Sequence, residues 1–157
     1  MNIADLRAAE AAEASELLRS VGMDELGLPE EALWTKNDIR ERCLDSRYVA
    51  LAARNGWWNI EGLLLGFPPE AGVGTIAWVV VKSAYRGVGV GATLFDLACE
   101  RYLKKGCHKL KLTAPTERAV RFYTQQGMVV EGEFPDHWWH RRFWGLGYYL
   151  QGAEDVA

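Results

Sequence analysis

From Thr75 the chain runs through seven nearly uninterrupted β-formers, Thr75-Ile76-Ala77-Trp78-Val79-Val80-Val81. It then turns through Gly87, Gly89 and Gly91 and continues into a segment with Leu94, Leu97 and Ala98 at helical spacing. A run that is apolar on both faces belongs in the middle of a sheet. The helix, read over Ala92–Lys105, stops at Gly106, and the alternating run Lys109–Thr113 lies directly behind it. Strand, helix and strand joined this closely form a crossover between parallel neighbours, and this constrains the fold more than any other feature of the chain.

The remaining segments fall around that unit. Asn2–Arg7 reads as a short strand. Ala8–Ser20 reads as a helix with Ala11, Ala14, Leu17 and Leu18 on one face, closed by Gly22. Pro29-Glu30-Glu31 opens a second helix carried by Leu33, Ile39 and Leu44. Tyr48–Ala53 and Ile60–Phe67 form a hairpin around Asn55-Gly56, its loop lengthened by Trp57 and Trp58. Pro115 and Thr116 start a helix that runs to about Gln126, and Val129–Tyr149 reads as two strands around Pro135-Asp136. Short links before Thr75 and after Val129 suit antiparallel pairing. The expectation is an α/β chain with a mixed, mostly antiparallel sheet of six or seven strands, a parallel central pair and about four helices. Residues 1–150 form one domain and residues 151–157 a short C-terminal tail.

Composition narrows the function. The 157 residues are 49% apolar, enough for a sizeable core, and the net charge of −3 speaks against a generally basic nucleic-acid-binding surface. The charge is unevenly spread. Lys82 to Gln126 holds nine Lys/Arg against three acids, a local +6 that leaves −9 elsewhere. A basic block in an acidic chain points to a site for an anion. No apolar run is long enough to span a membrane, and Asp5, Arg7, Glu10 and Glu13 interrupt any signal-peptide core, so no membrane partner and a cytoplasmic location are expected. Cys43, Cys99 and Cys107 are scattered and read as reduced thiols. His137 and His140, three apart in a segment read as strand and turn, point to opposite faces, and no metal is expected there.

A glycine-rich turn between a buried strand and a helix leaves backbone N–H groups free at the positive end of the helix dipole, an arrangement that binds phosphate. Arg86 can add a charge-assisted contact. No Lys-Ser/Thr pair follows the glycines, as a nucleoside-triphosphate loop needs, and no acid ends the next strand, as a dinucleotide site wants. The string R-x-x-G-x-G at Arg86, Gly89 and Gly91 instead resembles the acyl-coenzyme A pyrophosphate loop of the GCN5-related N-acetyltransferase (GNAT) family. Ala119-Val120-Arg121-Phe122-Tyr123-Thr124-Gln125-Gln126-Gly127-Met128 is similar to that family's A-x-x-x-Y-x-x-x-G-F helix and turn, with Met128 in place of Phe.

The resemblance covers nearly the whole chain. It implies the acyl-CoA N-acyltransferase fold, its central pair splayed around the cofactor, acetyl-CoA as co-substrate, and transfer to an amine by direct attack in a ternary complex. Residue by residue, it implies that main-chain groups of Val79, Val80 and Val81 meet the pantetheine arm. The amides of Arg86, Gly87, Val88, Gly89, Val90, Gly91 and Ala92 hold the pyrophosphate, and Tyr123 protonates the departing thiolate. Thr116 occupies the place of a cofactor-contacting Asn. Where some members carry a Glu base near the start of the fourth strand, this chain has Thr75, which leaves Glu61, Glu133, Asp136, His137 or water.

The aromatic residues Trp138, Trp139, Phe143, Trp144, Tyr148 and Tyr149 read as packing or as an acceptor pocket, in which ring faces would hold an ammonium group. The acceptor is a small-molecule amine or a protein or peptide amine, and a homodimer through the last strands is compatible with the pattern. A non-catalytic acyl-CoA binding or sensing domain and a protein-modifying acyltransferase stand as the other readings.

Overall fold

The computed structural model describes residues 1–151; residues 152–157, most of the tail expected at 151–157, lie outside them. Seven strands form one sheet: β1 (Asn2–Asp5), β2 (Val49–Arg54), β3 (Ile60–Gly66), β4 (Val73–Val81), β5 (Lys109–Ala114), β6 (Val129–Phe134) and β7 (Phe143–Tyr149). Their spatial order is β1-β2-β3-β4-β5-β7-β6, antiparallel throughout except between β4 and β5. Four α-helices accompany them among the described residues: α1 (Ala11–Arg19), α2 (Lys36–Cys43), α3 (Val90–Lys104) and α4 (Glu117–Gln125). The crossover through α3 thus makes the one parallel pair, as strand–helix–strand order requires.

The parallel pairing is short. Val73, Gly74 and Thr75 register with Lys109, Leu110 and Lys111, and beyond that point β4 continues to Val81 on β3 and β5 to Ala114 on β7 without pairing to each other. The sheet is therefore split into two halves joined at one end and splayed at the other. At the joined end Tyr102 of α3 stands over Gly66 and Gly74, where a Cβ on either glycine would collide with its ring, and its hydroxyl donates to the Phe67 carbonyl at 2.8 Å. Ala77 is left over between the pairs Leu65–Trp78 and Gly66–Ile76, a bulge that increases the local twist of β4.

Each face of the sheet carries its own core. Leu94, Phe95, Ala98 and Tyr102 of α3 pack with Leu51, Leu64, Leu110 and Tyr123 on one side. On the other side Ala11, Ala14, Leu17 and Leu18 of α1 and Ile39 of α2 pack on Leu63, Leu65 and Val80. The α1 face is the one read from its spacing.

Two boundaries differ from the sequence reading. The first helix does not close at Gly22. It continues through a π-helical turn over Ser20–Glu25 and ends at Gly27, whose φ of +66° only glycine adopts cheaply. Gly22 is there for space, since a Cβ on it would run into the Leu33 side chain. Pro29-Glu30-Glu31 opens only a single 3-10 turn, and α2 starts at Lys36. Its cap is reciprocal: the Asp38 N–H donates to Thr35 Oγ1 at 3.1 Å and the Thr35 N–H donates to the Asp38 carboxylate at 3.0 Å.

A buried ion pair ties the start of α1 to the sheet. Arg54 of β2 is 2% exposed and donates Nε to Glu10 Oε2 at 2.7 Å and Nη2 to Glu10 Oε1 at 2.5 Å. The same guanidinium bonds the Asp5 carbonyl and Asn2 Oδ1, so four of its five donors are used and each of its nitrogens has a partner. Arg54's hydrogen bonds, helped by the Arg7 N–H and opposed by burial, hold the Glu10 carboxyl at about 2. Among the described residues no helix is long and apolar enough to cross a membrane.

Candidate active site

The unpaired edge of β4 forms one wall of the splay. The Lys82 N–H donates to the Glu61 carbonyl at 2.9 Å, which fixes the alternation of the ladder. Residues in step with Lys82 turn their main-chain groups towards β3, and residues out of step turn theirs away. Val79 therefore presents its backbone N–H and C=O to the splay, and Val81 its N–H, the Val81 carbonyl being taken by Arg86 Nε. Val80 does not: its main chain is committed to β3 and its side chain lies in the α1–α2 core. The expectation for Val80 as a main-chain cofactor contact is corrected on that ground.

The turn that follows is open. Gly87 and Gly89 have φ of +77° and +90°, and nothing lies within 4 Å of the space a Cβ would fill at either. Among the described residues the N–H groups of Gly87, Val88 and Gly89 donate to no backbone acceptor, and Val90, Gly91 and Ala92 form the first turn of α3, where N–H groups lack intrahelical partners. Thr93 returns both its N–H and its hydroxyl to the Gly89 carbonyl, at 3.0 and 2.9 Å, and so fixes the entry to the helix. The result is a concave set of donors at the positive end of a 15-residue helix, and it fits a diphosphate. Gly91 is needed for packing: a Cβ there would stand 3.0 Å from the Phe122 ring of α4 and 3.8 Å from Val81 Cγ2.

Arg86 is engaged differently from the sequence reading. Its Nε donates to the Val81 carbonyl at 2.8 Å, and Nη1 and Nη2 donate to the two carboxylate oxygens of Glu25 at 2.6 and 2.8 Å. The guanidinium holds the turn against β4 and the end of the π-helical turn. The basic block as a whole is also less free than its sum suggested. Five of its nine cations, Lys82, Arg86, Arg101, Lys105 and Lys109, bond Glu61, Glu25, Asp5, the Ser46 carbonyl and Glu131.

Helix α4 follows β5 and completes the splay. Thr116 caps it, its Oγ1 accepting from the Ala119 N–H at 3.1 Å, so one of the acceptor sites expected to face a cofactor serves the helix instead. The Tyr123 ring is buried between Phe122, at 5.1 Å, and Phe95, at 6.5 Å, and burial pushes its phenol well above the usual tyrosine range. Its hydroxyl has no hydrogen-bond partner among the described residues, while no sealed side-chain oxygen lacks one; the oxygen therefore reaches solvent. The ring is thus buried with its hydroxyl open, and the neighbouring Phe122 ring packs against Gly91 of the glycine turn.

The sequence profile of the acetyltransferase (GNAT) family matches residues 15–128, which take in β4, the turn, α3 and α4. This chain belongs to the GNAT acetyltransferase family. An acetyltransferase of that family from Streptococcus pneumoniae superposes with a TM-score of 0.79 at 20% identity, over 96% of this chain and 99% of that one. An aminoglycoside 6'-N-acetyltransferase solved with coenzyme A gives 0.79 at 16%, over 97% and 98%. The glucosamine 6-phosphate N-acetyltransferase of Trypanosoma brucei brucei is 42% identical over 55 residues, 35% of this chain and 37% of that protein. The likenesses at 20% identity and below establish the fold, that of the acyl-CoA N-acyltransferases.

In this GNAT chain each carboxylate considered as a base already has a polar partner. Glu61 is buried and bonded to Asn55 Nδ2 at 2.5 Å and Lys82 Nζ at 3.2 Å. Glu133 pairs with Arg142 at 2.7 Å, which holds its carboxyl below the usual range. Asp136 bonds His140 at 3.1 Å, and His137 stacks on Phe134 and lies tilted against Trp138. The two histidines lie in the β6–β7 loop and not on a strand. That loop docks on the segment after α1: Trp139 Nε1 donates to Glu31 at 3.1 Å, and Arg141 donates to the Leu26 and Gly27 carbonyls at 2.8 and 2.5 Å. Trp139 and His140 both sit at φ of 55°, a left-handed conformation these contacts hold in place. Sequence reasoning missed Glu25 and Arg141, whose partners lie on distant parts of the chain. The aromatic tail divides: Phe143 and Trp144 are buried, while Trp138 and Trp139 face solvent.

Proposed function

We propose that this GNAT chain transfers the acetyl group of acetyl-CoA to a primary amine by direct attack within a ternary complex. The observation that carries the reading is the splay of β4 from β5 with the open glycine turn at its mouth. The backbone amides of Gly87 to Ala92 would hold the diphosphate, and the free main-chain groups of Val79 together with the Val81 N–H would pair with the amide-containing arm as an added strand does; the Val81 carbonyl is already taken by Arg86. Acetyl-CoA supplies an activated thioester; the nitrogen–carbon bond forms as the carbon–sulfur bond breaks. The Tyr123 hydroxyl gives its proton to the sulfur and regains one from solvent. Since the considered carboxylates are already paired and the His137 ring is packed among Phe134, Trp138 and Phe143, the amine on this reading gives its proton to water.

The acceptor side is bounded by the segment after α1 and by the β6–β7 loop, with Trp138 and Trp139 presenting ring faces suited to an ammonium or an apolar amine body. Aminoglycoside and glucosamine-phosphate acetyltransferases among the similar proteins support a small amine as acceptor. Thiol release from acetyl-CoA across a panel of amino sugars, polyamines and amino acids tests the proposal, with titration calorimetry of acetyl-CoA run beside it. Turnover on at least one amine is the expected result. Tight binding with no turnover on any amine or peptide would identify a sensing domain instead.

A further inference from the structure

We propose that Glu25 is a positioning residue for the phosphate turn: through Arg86 it fixes the turn to β4 and to the segment that bounds the acceptor side. The inference rests on the acetyl-CoA reading above and deepens it. Arg86 spends three donors within the protein, one on the Val81 carbonyl and two on the forked Glu25 carboxylate. A guanidinium held at both ends in this way is a strut, and a bidentate pair fixes direction as well as distance. The turn it braces needs bracing, because Gly87 and Gly89 supply no side chains and would otherwise sample many backbone states.

Glu25 itself is well anchored. It ends the π-helical turn, and the next two residues, Leu26 and Gly27, give their carbonyls to Arg141 of the β6–β7 loop. One short segment is thus gripped by Arg86 on the cofactor side and by Arg141 on the acceptor side. Removing Glu25 would leave the glycines unbraced although the phosphate donors themselves remain.

The test is a double-mutant cycle on the full chain with Glu25→Ala, Arg86→Ala and both together. It reads the dissociation constant of coenzyme A by calorimetry, together with KM for acetyl-CoA, kcat and the melting temperature. Each single variant is expected to weaken coenzyme A binding and raise KM for acetyl-CoA about fivefold, the size of a partly exposed bidentate pair. At saturating acetyl-CoA kcat stays within about twofold, and the double variant is no worse than either single, because both remove one strut. If Glu25→Ala binds as well as wild type or better while Arg86→Ala is weakened, Arg86 is a direct phosphate ligand and the proposal is wrong; additive losses overturn it too. If Glu25→Ala does not fold, Glu25→Gln, which keeps the shape and one acceptor, must show a loss in the same direction. Wild-type protein that binds no coenzyme A would bring down the underlying reading itself, an outcome separate from equal binding by wild type and variants.

Discussion

Replacing Glu10 by Gln removes a charge from a pair that is almost wholly buried, and the structure sets the size of the effect. Glu10 is 8% exposed and Arg54 2%. The hydrogen bonds from Arg54 lower the Glu10 carboxyl from 4.5 to about 2, and at about 1.4 kcal/mol for each pH unit that difference corresponds to about 3 kcal/mol of stability at pH 7. The sign follows from the direction of the shift. A carboxyl depressed in the folded protein stabilises it above the unfolded value and loses that contribution as pH falls from 4.5 towards 2. Linkage leaves about 1.5 kcal/mol at pH 3. Urea unfolding of wild type and Glu10→Gln, followed by tryptophan fluorescence, should therefore give a difference of about 3 kcal/mol at pH 7 that roughly halves at pH 3. Other carboxylates titrate in both proteins and cancel. A difference below about 1 kcal/mol at pH 7, or one independent of pH, would refute the account of this pair.

Three further outcomes follow from the splay and its closed end. Tyr102→Phe leaves the Phe67 carbonyl without its donor in the core and should cost about 1–2 kcal/mol in urea unfolding. Gly89→Ala places a Cβ at φ of +90° in open space; the expected cost is about 1–2 kcal/mol from backbone strain alone, with weaker coenzyme A binding by calorimetry as the turn relaxes. With water taking the proton from the amine, kcat/KM for the amine should climb about tenfold per pH unit up to the amine's own pKa; a plateau near pH 7 would expose a base on the protein.

The parts of the fold legible in the sequence were those with local signals. The β4 run, the glycine turn and the Leu94–Ala98 spacing each carry their own instruction, so the crossover and its parallel pair could be read directly. Thr35 and Asp38 also carry a local signal, the reciprocal cap, which marks the true start of α2 better than Pro29 does. Gly22 misled because a glycine that makes room for Leu33 has the same letter as one that ends a helix. The splay came only with the family resemblance and not from the residues themselves, since where β4 and β5 part depends on the bulge at Ala77 and on Tyr102 seated over Gly66 and Gly74. The Arg86–Glu25 fork was hidden for the same reason: its two residues meet only after α1, β4 and α3 have packed. The basic block was visible as a sum, but which of its cations stay free is decided by tertiary pairing.

The proposed function has the splay holding acetyl-CoA and Tyr123 protonating the departing sulfur while an amine takes the acetyl group. Its most direct test measures acetylated amine by mass spectrometry and free thiol in the same reaction, for wild type and Tyr123→Phe. Among the described residues the Tyr123 hydroxyl has no hydrogen-bond partner to lose, so the variant should melt close to wild type. The account predicts one acetylated amine per thiol in both proteins, with kcat lower by about a hundredfold in Tyr123→Phe and KM for acetyl-CoA little changed. Full kcat in Tyr123→Phe, or thiol release without acetylated amine, would contradict it.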